Sequence, residues 1–297
     1  MHSLQKLRKR LYNWTARGIH DTPAVICDPA SPLVVLSQSY HADLTMYLVA
    51  AKSFAHFLRP RHFVVVDDGL TDADRGLLRH HLGRVEFVRT ADVDVGRCPR
   101  GGTWERLVTI SRLCAEHYVV QLDSDTVTRA HPSEVLACAQ ANRSFTLGTV
   151  QGTQFVSAVE ASRFVEGAAS DHVQILAERA MARLPGAEQR RYVRGCSGFA
   201  GFARGAFGFE QLQDYSDAMV ALLGRDSWSR WGSEQVSSNY IVANTPDATI
   251  LPTHRYVNWV PSRGLLDACM LHFIGDHRFE GTQYIRQSRR IIALAGA

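Results

Sequence analysis

Two carboxylates one residue apart close the segment YVVQLDSDTV, residues 118–127. The apolar run before them has the composition of a buried strand, and on an extended backbone residues i and i+2 point to the same side. Asp123 and Asp125 therefore face one small volume at the carboxyl end of a strand, the edge at which open α/β sheets bind ligands. Two negative groups there would repel a diphosphate, so they can do chemistry on one only with a divalent cation, Mn²⁺ or Mg²⁺, in between. The same pair would equally serve in an Asx-turn that caps the next helix. A second candidate is His272-Phe273-Ile274-Gly275, which also follows an apolar run. An imidazole added to two carboxylates makes a mixed nitrogen and oxygen set that suits Mn²⁺, although a histidine at a strand end is commonly just a satisfied polar group. Gly275 would let backbone approach a phosphate, and His277 or Arg278 could add positive charge there.

The elements that must position these groups alternate along the first half of the chain. Residues 33–36 (LVVL) read as a buried strand with a polar stop at Ser37-Gln38-Ser39. Asp43 reads as the N-cap of a helix running to about Leu58, where Pro60 blocks it. A second strand, 62–66, ends in Asp67-Asp68-Gly69, residues suited to a turn. Thr71 caps a helix that Gly83 stops, and a third strand covers 85–88. A helix over 103–116 leads into the fourth strand, 118–122. Such alternation predicts βαβ units and an α/β fold with a mostly parallel, doubly wound sheet. Further on, Pro132 starts a helix, and 159–184 reads as largely helical with a break at Gly167. Ser197–Ala203 (SGFAGFA) reads as a strand whose glycines admit a close neighbour. Helices follow at 210–223 and 234–242, then a late strand at 269–274 and a polar, basic tail after Glu280.

Composition narrows the function classes. The chain has 297 residues, 45% hydrophobic and 21% charged, with 33 basic and 29 acidic side chains. Five of the bases (Lys6, Arg8, Lys9, Arg10, Arg17) fall in the first 20 residues, which hold no acid, so the body is near neutral and does not read as a nucleic-acid binder. The six cysteines are scattered without a CxxC, which fits reduced thiols and a cytoplasmic location. No apolar run has the length to span a bilayer, and the N-terminus lacks a signal-peptide core. Residues 5–19 set Leu7, Leu11 and Trp14 at helical spacing among the bases. Two readings follow: a helix that caps the domain, or one that lies on an anionic membrane.

LDSD at 122–125 and HFIG at 272–275, in this order and separation, resemble the A-type (nucleotide-diphospho-sugar transferase) fold glycosyltransferases, most nearly the retaining family-eight enzymes. The resemblance covers about residues 33–282. It implies a domain over 21–282, with a nucleotide-binding half at about 33–130 and an acceptor half at about 131–282, flanked by the 1–20 helix and a 283–297 tail. It implies that Asp123, Asp125 and His272 share Mn²⁺ or Mg²⁺. Ser37, Gln38 and Asp67 or Asp68 would hold the nucleoside, while Arg106, Ser124, Gly275 and Arg278 would meet the donor. Lys52-Ser53 falls where the family's first helix carries a similar pair. Ser233-Glu234-Gln235 with Asn239 resembles the family's DQD…N stretch, which makes Gln235 and Glu234 the catalytic candidates. SGFAGF departs from the family's asparagine-x-glycine strand, with Cys196 and Ser197 where the asparagine is expected. Trp228, Trp231, Tyr256 and Trp259 could line an acceptor site or pack the core. The expected activity is transfer from a nucleotide-sugar donor, a UDP-sugar, to a hydroxyl-bearing glycan, lipid-linked or small-molecule acceptor. A nucleotidyltransferase of related fold lacks support, because no glycine- and lysine-rich phosphate loop follows the first strand. A non-catalytic scaffold of the same fold is the remaining alternative.

Overall fold

Parallel strands covered on both faces must be apolar along their length rather than alternating. Leu33–Ser39 (β1) and His62–Asp67 (β2) follow that rule and are buried at nearly every position, whereas Val85–Arg89 (β3) is partly exposed. In this computed structural model, which describes residues 2–265 and 267–296 (side chains at 2–5 and 276 excepted), β1 pairs in parallel with β2 and β2 with β3. Met1 and Ala297, the ends of the 1–20 and 283–297 segments, lie outside the described residues. The remaining strands are Tyr118–Leu122 (β4), Thr126–Thr128 (β5), Phe145–Leu147 (β6), Val156–Ser157 (β7), Arg191–Tyr192 (β8), Cys196–Phe202 (β9), Thr249–Leu251 (β10), Tyr256–Asn258 (β11) and Met270–His272 (β12). The central sheet is seven-stranded and mostly parallel, in the order β10-β6-β9-β4-β1-β2-β3, with β9 antiparallel to β6. β11-β12-β5 and β7-β8 form smaller sheets. The expected α/β class with a doubly wound, mostly parallel sheet is what the chain adopts.

The chain divides into two compact units, each discontinuous in sequence: residues 1–90, 120–137 and 252–297 form one, and 91–119 with 138–251 the other. The first contains helices His2–Ala16 (α1), Leu44–Phe57 (α2) and Asp72–Leu82 (α3). α2 is buried almost throughout, and even Lys52 is enclosed, its ammonium bonded to Thr22 Oγ1 at 2.6 Å and to the Pro23 carbonyl at 2.7 Å. Burial lowers that ammonium to about 8. Asp43 does not cap α2 through its side chain; the carboxylate pairs with Lys9 at 2.6 Å instead. Thr71 does cap α3, in a capping box with Asp74, and Gly83 ends it at φ 66°, where a Cβ would lie 2.7 Å from the Val25 carbonyl oxygen. Ser133–Gln140 (α5) starts directly after Pro132. In the polar, basic tail, Gln283–Ala295 forms a helix whose buried residues Tyr284, Gln287, Ser288 and Ile291 repeat at i, i+3, i+4 and i+7.

The second unit holds Trp104–Leu113 (α4), Ala158–Arg163 (α6), Val173–Ala180 (α7), Phe209–Leu223 (α8), Arg225–Trp228 (α9) and Ser233–Ala243 (α10). With these in place, the tail helix is α11. The helical stretch expected over 159–184 is interrupted from 164 to 172, a wider break than one glycine. The glycine spacing of β9 has a packing cause. A Cβ on Gly201 would sit 2.2 Å from the Phe145 ring and 2.7 Å from the Tyr118 hydroxyl, and that hydroxyl is already committed to the Arg143 carbonyl at 2.7 Å. Gly201→Ala should therefore cost on the order of 1–3 kcal/mol and lower the thermal midpoint by several degrees. An unchanged midpoint by differential scanning calorimetry would mean that Phe145 can swing aside without loss.

Candidate functional site

β4 ends at Leu122 and the chain turns at once, with the Asp123 carbonyl accepting from the Thr126 amide at 3.2 Å and the Thr126 hydroxyl at 2.8 Å. β5 then pairs antiparallel with β12, His272 opposite Thr126, and the Phe273 amide donates to the Asp125 carbonyl at 2.9 Å. β11 runs parallel to β12 with Asn258 opposite His272. This register carries a histidine from late in the sequence to the turn that bears both aspartates. His272 Nε2 lies 3.2 Å from Asp125 Oδ1 and 4.0 Å from Asp123 Oδ2. Among the described residues, Asp123, Asp125 and His272 form the one group of three such side chains able to hold a metal, with ligand atoms all within 4.8 Å of one another.

The surroundings prepare these groups. Asn258 Oδ1 is 2.9 Å from His272 Nδ1, so the ring donates there and turns Nε2 toward the carboxylates, the orientation a metal ligand needs. Burial on its own would raise the Asp125 carboxyl, but the Arg278 guanidinium, and then His272, outweigh it and hold it at about 2. Arg278, expected at the donor, makes an ion pair with Asp125 and donates from Nε to the Phe273 carbonyl at 3.1 Å. The Ser124 carbonyl accepts from the Tyr284 hydroxyl at 3.3 Å, so α11 props the turn from behind. Gly275, at φ 57° and exposed, opens a short 3-10 turn.

The nucleoside candidates divide. Ser37 is fully buried, and its hydroxyl ties β1 to the end of β4 by donating to the Leu122 carbonyl at 2.6 Å. Asp67 builds a turn, its Oδ1 accepting from the Gly69 and Leu70 amides at 3.1 and 2.7 Å while Arg75 pairs with its Oδ2 at 2.5 Å. Asp68 is exposed and accepts from Gln38 Nε2 at 3.1 Å. Ser53, like Lys52, is engaged within its unit and accepts from the Thr128 amide at 3.0 Å.

Arg106, Glu234 and Gln235 form a cluster within the second unit. Arg106 on α4 and Glu234 on α10 form a buried ion pair, one guanidinium nitrogen lying 3.2 Å from each carboxylate oxygen. Thr103 and Ser197 also donate their hydroxyls to Glu234, at 3.1 and 3.3 Å. Gln235 accepts from the Ser197 amide and donates to Gln174, both at 3.4 Å. Ser197, which marked the departure from the family strand, thus contacts both catalytic candidates. Asn239 donates to the Gly195 carbonyl at 2.9 Å and so pins α10 to the start of that strand. Of the four aromatic candidates, Trp228, Tyr256 and Trp259 are core residues, and Trp231 is 74% exposed.

Thr103, Asn258 and Ser197 were not picked out as site residues from the sequence. Thr103 had a legible signal, because Gly101-Gly102-Thr103 marks a loop of left-handed residues just before a helix. Asn258 had none.

Comparison with solved structures decides the fold. A structure of the bifunctional glycosyltransferase WbbM matches with a TM-score of 0.52 at 15% identity, over 91% of this chain and 51% of that one. The chain has the A-type glycosyltransferase fold. It spans about half the length of the WbbM structure. The galactosyltransferase LgtC, solved with donor and acceptor sugar analogs, matches at a TM-score of 0.46 and 12% identity, over 89% of this chain and 95% of that one. Mouse xyloside xylosyltransferase 1 matches at 0.46 and 13% identity, over 82% and 96%. No family model and no curated protein sequence matches the chain.

The buried ion pair of the second unit generates a stability prediction. Arg106→Met strands the Glu234 carboxylate out of water and should cost about 3–5 kcal/mol, whereas Arg106→Met with Glu234→Leu should recover most of the loss. Chemical denaturation of the full chain reads both, and a harmless single variant would show the pair to be solvated.

Proposed function

We propose that this chain is a glycosyltransferase that moves a sugar from a nucleoside-diphosphate donor, a UDP-sugar, to a hydroxyl acceptor with retention of configuration. The observation that carries the reading is the Asp123–Asp125–His272 cluster at the strand end of an A-type fold, with the imidazole turned by Asn258. Two carboxylates and one imidazole nitrogen fit Mn²⁺ better than Mg²⁺, which prefers oxygen alone. When bound, the cation would neutralise charge that develops on the departing diphosphate.

The chain's own residues supply the rest of the reading. Asp125 stays ionised across the physiological range, and Asn258 holds the ring in one tautomer. Asp68 and Gln38, the less engaged polar groups at the carboxyl ends of β2 and β1, are assigned to the nucleoside. The unit holding β1 to β3 is assigned to the nucleotide, and the unit holding Glu234 and Gln235 to sugar and acceptor. The Glu234 carboxylate is already engaged by the Arg106 guanidinium and by the Thr103 and Ser197 hydroxyls, which places it poorly to receive a proton from an acceptor. That favours retention, with the Gln235 amide as the group offered to the sugar, over an inverting route in which Glu234 activates the acceptor.

Asp123 is the better probe of the metal, because its side chain is 29% exposed, whereas that of Asp125 is 6% exposed and holds an ion pair with Arg278. Asp123→Ala should fold normally and lose Mn²⁺-dependent UDP affinity by about 100-fold or more in calorimetry. Equal affinity with and without Mn²⁺ in the parent chain would sink the metal assignment. Gln235→Ala should lower the turnover of donor hydrolysis while leaving UDP affinity in place, since a contact made mainly in the transition state appears in kcat. An inverted product anomer by NMR would transfer the base role to Glu234 and end the retaining reading.

A further inference from the structure

α1 presents two faces. Its inner face carries Tyr12, which is fully buried, stacks on Tyr284 at 4.2 Å and shares a 2.8 Å hydrogen bond with Ser288. Ala16 continues that face, and Lys9 fastens the helix to Asp43. The three apolar residues at helical spacing lie elsewhere: Leu7, Leu11 and Trp14 are 62%, 52% and 62% exposed. At 3.6 residues per turn they fall within an arc of about 60°, and the exposed Lys6 and Arg10 form an adjoining strip about 40° wide. The Arg17 guanidinium sits 5.8 Å from the Trp14 ring. α11 packs against α1 and exposes Arg286, Arg289 and Arg290. Neither helix contains an acid; the first in the chain is Asp21, and none follows Glu280.

Scattered surface apolar residues need no explanation, but a stripe of two leucines and a tryptophan on one helix does. The charge beside it selects the occupant. A second copy laid face to face would set bases against bases, whereas an anionic bilayer offers both headgroup phosphates and an apolar layer for the stripe. Among the described residues no helix is long and apolar enough to cross a membrane, so the contact is one that lies along the surface. We propose that α1 and α11 form a docking face for an anionic phospholipid surface, with Leu7, Leu11 and Trp14 entering the interface and the bases of both helices at the headgroups.

Sedimentation of the full chain with vesicles tests this, using phosphatidylcholine alone and phosphatidylcholine mixed with about equal phosphatidylglycerol. The parent chain should partition onto the mixed vesicles, release with rising salt, and ignore phosphatidylcholine. Leu11→Gln with Trp14→Gln should weaken partitioning by about ten-fold or more. Replacing Arg286, Arg289 and Arg290 by Gln should weaken it by about five-fold per base and flatten the salt dependence. All these side chains are exposed, so circular dichroism and the thermal midpoint should match the parent, and a variant that fails this check is replaced by Leu7→Gln. Absence of parent binding to mixed vesicles, equal binding to phosphatidylcholine, or variants that bind like the parent would each overturn the proposal. So would a dimer in sedimentation velocity that Leu11→Gln with Trp14→Gln dissolves while vesicles remain unbound.

Discussion

A carboxylate taken out of water is costly unless it is paired, and Asp125 is only 5% exposed. Its side chain is answered by His272 and Arg278, and its carbonyl by the Phe273 amide. All three partners come from residues 272–278, so a demand created at position 125 is met by chain that arrives almost 150 positions later. The pairing of β5 with β12 is the backbone expression of the same demand, because it sets His272 against Thr126. A one-residue slip there would turn His272 to the opposite face and leave the carboxylate short of a partner.

Aromatic packing then holds that closure in place. Phe273, next to the candidate ligand, stacks on Tyr284 at 4.3 Å and touches Trp259 at 5.1 Å, while Tyr284 in turn stacks on Tyr12 at 4.2 Å. The Tyr284 hydroxyl reaches the Ser124 carbonyl between the two aspartates. α1 and α11 thus give one face each to the wall behind the turn. A helix needs only one buried stripe to be stable in place, and this division leaves their other faces open to a different use.

The strands and the paired aspartates at the end of β4 were legible because their signals are local. Unbroken apolar runs mark buried parallel strands, and i, i+2 carboxylates at a strand end keep their geometry whatever follows. What was illegible depends on partners far away in sequence. Nothing near Asn258 announces that it will orient His272, and nothing near Ser37 shows that its hydroxyl will be used by Leu122. For α1 the spacing of Leu7, Leu11 and Trp14 read as a helix, yet spacing cannot say which face packs. The buried positions are Tyr12 and Ala16, decided by aromatic neighbours on α11. The 283–297 segment read only as a polar, basic tail, because its three arginines obscure the buried stripe of Tyr284, Gln287, Ser288 and Ile291.

The second unit shows what a buried carboxylate demands of its surroundings. Glu234 is buried, and the Arg106 guanidinium at 3.2 Å offsets its desolvation together with further donors. Ser197 provides a hydroxyl to Glu234 and, through its amide, a donor to Gln235. Thr103 provides another hydroxyl from a left-handed backbone at φ 74°, a conformation that costs a β-branched residue on the order of 1–3 kcal/mol. Glycine would relieve that strain but would bring no hydroxyl. The chain keeps threonine there and fixes the loop from the other side, with the Gly101 amide donating to Glu105 at 2.9 Å. The Thr103 hydroxyl is shared between the Gly102 carbonyl at 2.5 Å and Glu234 at 3.1 Å, so the strained threonine both closes its own loop and presents that loop to the carboxylate.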